Sequence, residues 1–519
     1  MHTLPHLLLF SLAAVPTFSR PLDPSSSILP DEDPVPILFL PPSIVKSGSP
    51  VGPLFITGPT PANHHQGSPP PTPTSSPART TLTVVEQAAE TIHVVAATKL
   101  MTVTVTVQAP RPSSIPSSAP DPDSDTTANS NAEMKPFVAT YFPDWTGDEF
   151  PPEKVDFKRF AWIDFAFAVP DENRQLTFTS DNSEDLLNRL VKSAHAHGSR
   201  VKLSIGGWTG SRYFSDAVST ETNRHELVKN TVQMYKKFNL DGIDIDWEYP
   251  GVQGAGNNQV SPQDSTHFLT FLQLLRSQLP ESAKLTAATQ VTPFAGPDGR
   301  PLADVSEFAR VLDWILIMNY DIWGSSPTPG PNAPLRDGCH NSTQPYASAS
   351  ASVAAWTAAG FPPHQVTLGL PSYGYVQTSN ARQLIQRSRT AKLDNLRVRR
   401  DDRVTGAGSV RVQGEGEGDD SGQIQFKQLV KTGALKVNSN GNYVGAGGFN
   451  RMWDVCSSTP YLVSQNAKQV VAYDDPQSLG MKAAFARGAG LRGVNMFDVH
   501  GDTENWTLTD AIREGLGLA

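Results

Sequence analysis

The stretch LDGIDIDWEYPG, residues 240–251, sets Asp241, Asp244, Asp246 and Glu248 among leucine, isoleucine and tryptophan. So apolar and β-branched a run reads as a strand bound for a protein interior. Residues two apart on a strand share a face, so Asp244, Asp246 and Glu248 project one way and Ile243, Ile245 and Trp247 the other. Burying an unpaired ionised carboxylate is costly, and a file of three is hard to explain as packing. Glu248 comes last, just before the turn Tyr249-Pro250-Gly251, while Asp241 has the opposite parity and reads as a structural residue at the start of the strand.

Working outward, similar apolar runs recur at FVATYF (137–142), FAWIDFAFAV (160–169), RVKLSIGGW (200–208), KLTAATQV (284–291), DWILIMNYD (313–321), QVTLGLPSYGY (365–375) and RGVNMFDV (492–499). Helical patterns such as SEDLLNRLVKSAHAHG, NRHELVKNTVQMYKKFN and DSTHFLTFLQLLRSQLP separate most of them. Eight strands alternating with helices predict an α/β fold of the (β/α)8 TIM-barrel type, and the span 135–519, about 380 residues, lies in the usual size range. Glu248 then stands at the C-terminal end of strand four, the rim where barrel enzymes keep their active sites. The interval between strands seven and eight is too long for one helix. It is read as an insertion over about 376–450, containing a charged, Gly-rich loop (397–422) in which Arg399-Arg400 is either a nick site or part of a solvated surface.

The first part of the chain has a different texture. Residues 1–19 carry an apolar run, Leu7 to Val15, that suits a secretory signal and is too short to cross a bilayer. Residues 20–134 are rich in Pro, Ser and Thr and read as a disordered stalk, except that 81–108 alternates enough for a strand or hairpin. Sequons at Asn341 and Asn505 fit export as glycosylation sites, and export permits a disulfide between Cys339 and Cys456, with free buried thiols as the alternative. A net charge of -9 argues against nucleic acid as a partner. No hydrophobic tail for a lipid anchor is seen, so the mature form is expected off the membrane; a monomer is expected as a separate reading.

Carboxylates this close cannot all ionise, so at least one keeps a proton near neutral pH. Glu248, nearest the rim, is the natural general acid; Asp246 shares its proton, and Asp244 accepts a hydrogen bond deeper in the barrel. A divalent-metal site is an alternative, though no His or further acid accompanies the file at comparable spacing. A buried charge network without chemistry is the bland alternative.

The motif DGIDIDWE resembles the Asp-x-x-Asp-x-Asp-x-Glu signature of family 18 glycoside hydrolases, the chitinases. LSIGGW (203–208) is similar to that family's third-strand motif and MNYD (318–321) to its sixth-strand motif. The resemblance covers about residues 136–515. It implies a chitinase acting on chitin or chitooligosaccharides without a cofactor, in which the substrate's 2-acetamido group attacks the anomeric carbon while Glu248 supplies the proton. It further implies that Asp246 orients the acetamido group, that Tyr320 hydrogen-bonds its oxygen, and that Met318 and Asp321 lie in the cleft.

Aromatic residues at strand ends, Tyr141, Trp145, Trp208, Tyr249, Trp323 and Tyr373, are expected to present stacking faces to sugar rings. The sequence departs from the family at strand eight, where many members carry Trp and this chain has Phe497. The insertion also looks irregular beside the family's usual α+β insertion. GAGLRG (488–493) spells a dinucleotide fingerprint but follows a helix and leads into a strand, so it is a turn. Two rival readings remain: a chitin-binding lectin that has lost catalysis, and an endo-β-N-acetylglucosaminidase acting on glycoprotein glycans.

Overall fold

The structure, a computed structural model, describes residues 135–384, 409–415 and 422–518, apart from 325 and 327, and the backbone of two strands further upstream. Those two, Ile92–Ala96 and Lys99–Val103, pair antiparallel as a hairpin. The leader over 1–19, the rest of the stalk reading over 20–134 and the Arg399-Arg400 site lie outside the described residues.

Eight parallel strands close into a barrel. In chain order they are Phe137–Pro143, Trp162–Pro170, Arg200–Gly206, Gly242–Asp246, Lys284–Thr289, Trp314–Ile317, Val366–Pro371 and Gly493–Phe497. Strand one pairs with both strand two and strand eight, which closes the ring. All eight coincide with the runs read from the sequence, the first two ending one residue later, at Pro143 and Pro170. One extra strand, Leu176–Phe178, folds back antiparallel on strand two. Helices cross between most strands, although the link from strand one to strand two has only three short 3-10 turns.

The register sets up the site. Ser204 of strand three, Asp244 of strand four and Thr286 of strand five are direct neighbours, and Gly206, Asp246 and Ala288 form the next row up. Gly206 adopts φ 120°, and a Cβ there would stand 2.1 Å from the Asp246 carbonyl oxygen. No other residue allows so close an approach.

Outside the ring, Ile243, Ile245 and Trp247 turn away from the acids, as their parity requires. The Trp247 ring stacks on Phe214 at 5.2 Å and meets Phe268 edge-on at 5.4 Å. Phe268 in turn packs edge-on against Phe294 at 5.7 Å. These rings hold the far side of the acid strand against two helices, Phe214–Ser219 and Asp264–Gln278.

The insertion corrects the sequence reading in extent and in texture. It builds a regular five-stranded antiparallel sheet whose strands run from Tyr373–Thr378 to Gln469–Ala472, past the expected bound at 450. A helix, Phe426–Lys431, and a small hairpin accompany it. The part of the Gly-rich loop that is described is packed: Val412 is buried and its peptide group exchanges two hydrogen bonds with the Gln469 side chain. The pattern hid this because a long segment separates the first strand of the insertion from the later strands that pair with it. Cys339 and Cys456 are joined by a disulfide, which ties the loop after strand six to this sheet.

The aromatic packing behind the acid strand gives one expected outcome. Phe268→Ala should cost about 3–5 kcal/mol, the usual range for emptying a buried Phe site. A lowered urea midpoint with unchanged far-ultraviolet circular dichroism would show it, and an unchanged midpoint would contradict the packing described.

Candidate active site

The deepest layer is a closed polar network. The Asp244 carboxylate accepts from the Tyr141 hydroxyl at 3.0 Å, Ser204 Oγ at 2.8 Å and Thr286 Oγ1 at 2.5 Å. A buried cation lies just below: Lys202 Nζ is 3.0 Å from Asp164 Oδ1 and 3.7 Å from Asp244 Oδ1. The second Asp164 oxygen accepts from Asn495 Nδ2 at 2.8 Å. Burial raises the Asp164 carboxyl to about 6, even with Lys202 beside it pulling the other way.

Asp246 is treated differently. It is buried, and among the described residues its Oδ1 has no hydrogen-bond partner. Burial, then Glu248 above it and Asp244 and Asp164 below, raise its carboxyl well above the usual carboxylate range. The direction of that shift favours the protonated form of Asp246, because among the described residues no donor meets its buried Oδ1.

Glu248 is half-buried at the top of the file, and its backbone is held from both sides. Its N–H donates to Ser211 Oγ at 2.8 Å, and its carbonyl accepts from Asn258 Nδ2 at 3.1 Å. Asn258 also donates to the Trp208 carbonyl at 2.9 Å, which couples the acid to the turn after strand three. The neighbouring Tyr249 hydroxyl is hydrogen-bonded to the Glu248 carboxylate, and burial together with Glu248 keeps that phenol un-ionised.

Above the acids opens a cleft of about 850 Å³. Asp246, Glu248, Tyr249, Met318, Tyr320, Asp321, Trp208, Trp323 and Phe497 all line it. Burial first, then Asp246, Asp321 and Glu248, keep the Tyr320 hydroxyl protonated and so a donor. Asp321, in the left-handed region at φ 58°, accepts on one oxygen from the Tyr373 hydroxyl at 2.6 Å and the Tyr375 hydroxyl at 2.8 Å. Those tyrosines belong to the first strand of the insertion, so the inserted sheet forms a wall of the cleft and also sets one of its acids.

One expected cleft residue is misplaced by the sequence reading. Tyr141 does not reach the cleft; it lies beneath Phe497, ring centroids 5.2 Å apart, and points its hydroxyl down to Asp244. An inward-facing residue near the end of a strand is roofed over when an aromatic ring of the next strand leans across it. Trp145, 56% exposed, stands at the lip against Phe167, at 6.1 Å. Of the two sequons, Asn505 is exposed, whereas Asn341 has a buried side-chain oxygen.

Sequence reasoning missed Lys202, Asp164, Asn495, Ser211, Asn258, Phe167 and Tyr375. Parity was available for two of them: Lys202 shares a face with Ser204, and Asp164 lies mid-run in WIDFAF. Asn258 sits in a loop without periodicity, where only the folded chain shows what it meets.

The family model Glycosyl hydrolases family 18 matches residues 138–502. A chitinase-like effector of Moniliophthora roreri is 37% identical, over 75% of this chain and 95% of its own. A second, of Moniliophthora perniciosa, is 33% identical over 75% of this chain and 89% of its own. Among solved structures, a chitinase from Rhizomucor miehei superposes with TM-score 0.61 at 28% identity, covering 73% of this chain and 99% of that one.

The elevated Asp164 carboxyl makes stability depend on pH in a definite direction. A group whose folded value is raised to about 6 contributes stability that is complete below its unfolded value and is lost as pH rises through about 6. The stability of the wild type relative to Asp164→Asn should therefore fall between about pH 4 and pH 7. Thermal unfolding of both proteins across that range checks it, and a constant difference would contradict the buried-acid account.

Proposed function

The chain belongs to glycosyl hydrolase family 18, and from that premise we propose that it is an exported chitinase, hydrolysing β-1,4 bonds between N-acetylglucosamine units with retention. The observation that carries this reading is the acid file at the cleft floor. Asp246 keeps an unpartnered oxygen directly below Glu248, with the Tyr320 phenol in the same cleft.

The mechanism follows from what each group is able to give. Glu248 donates its proton to the glycosidic oxygen as the bond from that oxygen to the anomeric carbon breaks. The substrate's own acetamido carbonyl oxygen attacks the anomeric carbon from the other face and forms a cyclic oxazolinium ion. Asp246, which has already passed the shared proton to Glu248 for that transfer, is then a carboxylate: it accepts a hydrogen bond from the acetamido N–H and balances the positive charge. Tyr320 donates to the acetamido oxygen. Glu248, now a carboxylate, takes a proton from water as the water opens the ring, so the β-configuration is kept. Trp208, Trp323 and Phe497 offer stacking faces to the sugars, and Asp321 accepts from their hydroxyl or amide groups.

Domain organisation follows the same reading: a leader over 1–19, a stalk over 20–134 and the catalytic barrel from 135. Export is supported by the disulfide and by the exposed sequon at Asn505. Among the described residues no helix is long and apolar enough to cross a membrane.

A second reading, binding of chitooligosaccharides without turnover, is favoured by one observation: two relatives are described as chitinase-like effectors. Hydrolysis of a chitin hexasaccharide by the wild type and by Glu248→Gln separates the two. The proposal predicts β-anomer as the first product, and a fall in kcat of about 10²–10⁴-fold in the variant with binding retained. If both proteins bind and neither cleaves, the chain is a binding protein.

A further inference from the structure

Lys202 has no part in the reaction as written, yet the barrel is built around it. It is 1% exposed, and besides its two carboxylate neighbours it donates to Thr286 Oγ1 at 2.7 Å and lies 4.8 Å over the Trp314 ring. Room for it is made on the acid strand itself. Gly242 is its register partner, and a Cβ at Gly242 would come within 3.0 Å of Lys202 Cγ and 2.3 Å of the Lys284 carbonyl oxygen. Stability does not account for such a device, since replacing a buried ion pair by apolar groups is often neutral or stabilising.

We propose that Lys202, paired with Asp164 beneath the acid file, is a positioning residue that sets the upper pH limit at which Glu248 and Asp246 keep their shared proton. The proposal rests on the hydrolytic reading above and deepens it. The groups facing Asp246 and Glu248 are Tyr141 from strand one, Asp164 from strand two, Lys202 from strand three, Asp244 from strand four, Tyr249 from the turn after it, and Tyr320 and Asp321 from the loop after strand six. The three phenols stay neutral because burial raises all of them.

Two negative charges therefore lie below Asp246, at Asp164 and Asp244, and one positive charge lies between them. With Lys202 in place the floor carries a net charge of minus one; without it, minus two. A floor of minus two would hold the shared proton too tightly to transfer, and a neutral floor would release it at too low a pH. Asp244 has three hydroxyl donors of its own, whereas Asp164 has the closer contact with Lys202 Nζ, 3.0 Å against 3.7 Å, so the lysine serves chiefly Asp164.

The test compares kcat/KM against pH on a soluble chitooligosaccharide for the full-length wild type, Asp164→Asn, and Asp164→Asn combined with Lys202→Met. Asp164→Asn makes the floor neutral, so its alkaline limb should move to lower pH by on the order of one unit. Adding Lys202→Met restores a floor of minus one, and the limb should return towards the wild-type position. An unmoved limb in Asp164→Asn, or one shared by the single and double variants, overturns the proposal. A merely structural role would lower the unfolding temperature without moving the limb. The same proton is readable without turnover from the pH dependence of the Asp246 carboxyl carbon shift in the three proteins. Shifts that move as stated in a protein that does not hydrolyse would sink the chitinase reading and keep the role of Lys202.

Discussion

Asp244, Asp246 and Glu248 stand on one face of one strand inside a barrel, and they cannot all be charged. The rest of the interior answers that constraint layer by layer. At the bottom, three hydroxyl donors satisfy the Asp244 carboxyl group, and Lys202 pairs with Asp164. In the middle, Asp246 Oδ1 is buried with no donor among the described residues, which favours the protonated carboxyl. At the top, Glu248 has its side chain half open to the cleft and its backbone pinned by Ser211 and Asn258. A gradient from fully compensated charge to uncompensated acid is what a shared, transferable proton needs.

The fold supplies this gradient through register. Ser204 and Thr286 meet Asp244 because strands three, four and five run parallel with those residues aligned, and Gly206 leaves the Asp246 carbonyl room in the next row. The rim then adds what the barrel lacks. Tyr373 and Tyr375, on the inserted sheet, fix Asp321 at the cleft wall, and a disulfide fastens the loop after strand six to the same sheet. Insertion and barrel are therefore parts of one site, since an acid in the loop after strand six depends on hydroxyls from the insertion.

Much of this was legible in the sequence, and the limits have physical causes. Parallel strands buried on both faces read as continuous apolar runs, so all eight barrel strands could be placed, and strand parity alone put three acids on one face. The motifs in strands three, four and six lie at strand ends, where the sequence order of neighbours is also their spatial order. The Lys202–Asp164–Asn495 network was not legible, because it joins strands three, two and eight across the barrel and only register brings them together. Tyr141 was misread for a related reason: its own strand does not reveal that Phe497 roofs it. The insertion's end at Ala472 was missed because the segment between its first and later strands interrupts the pattern.

The account turns on Asp246 holding a proton that an ordinary aspartate would lose. Its carboxyl carbon chemical shift, followed against pH in protein labelled with carbon-13 at aspartate Cγ and assigned with Asp246→Asn, measures this directly. The account predicts a midpoint well above the ordinary aspartate value of about 3.9, in a protein that stays folded throughout. A midpoint at or below that value would mean that Asp246 is charged when the cleft is empty, and the shared-proton account would be wrong.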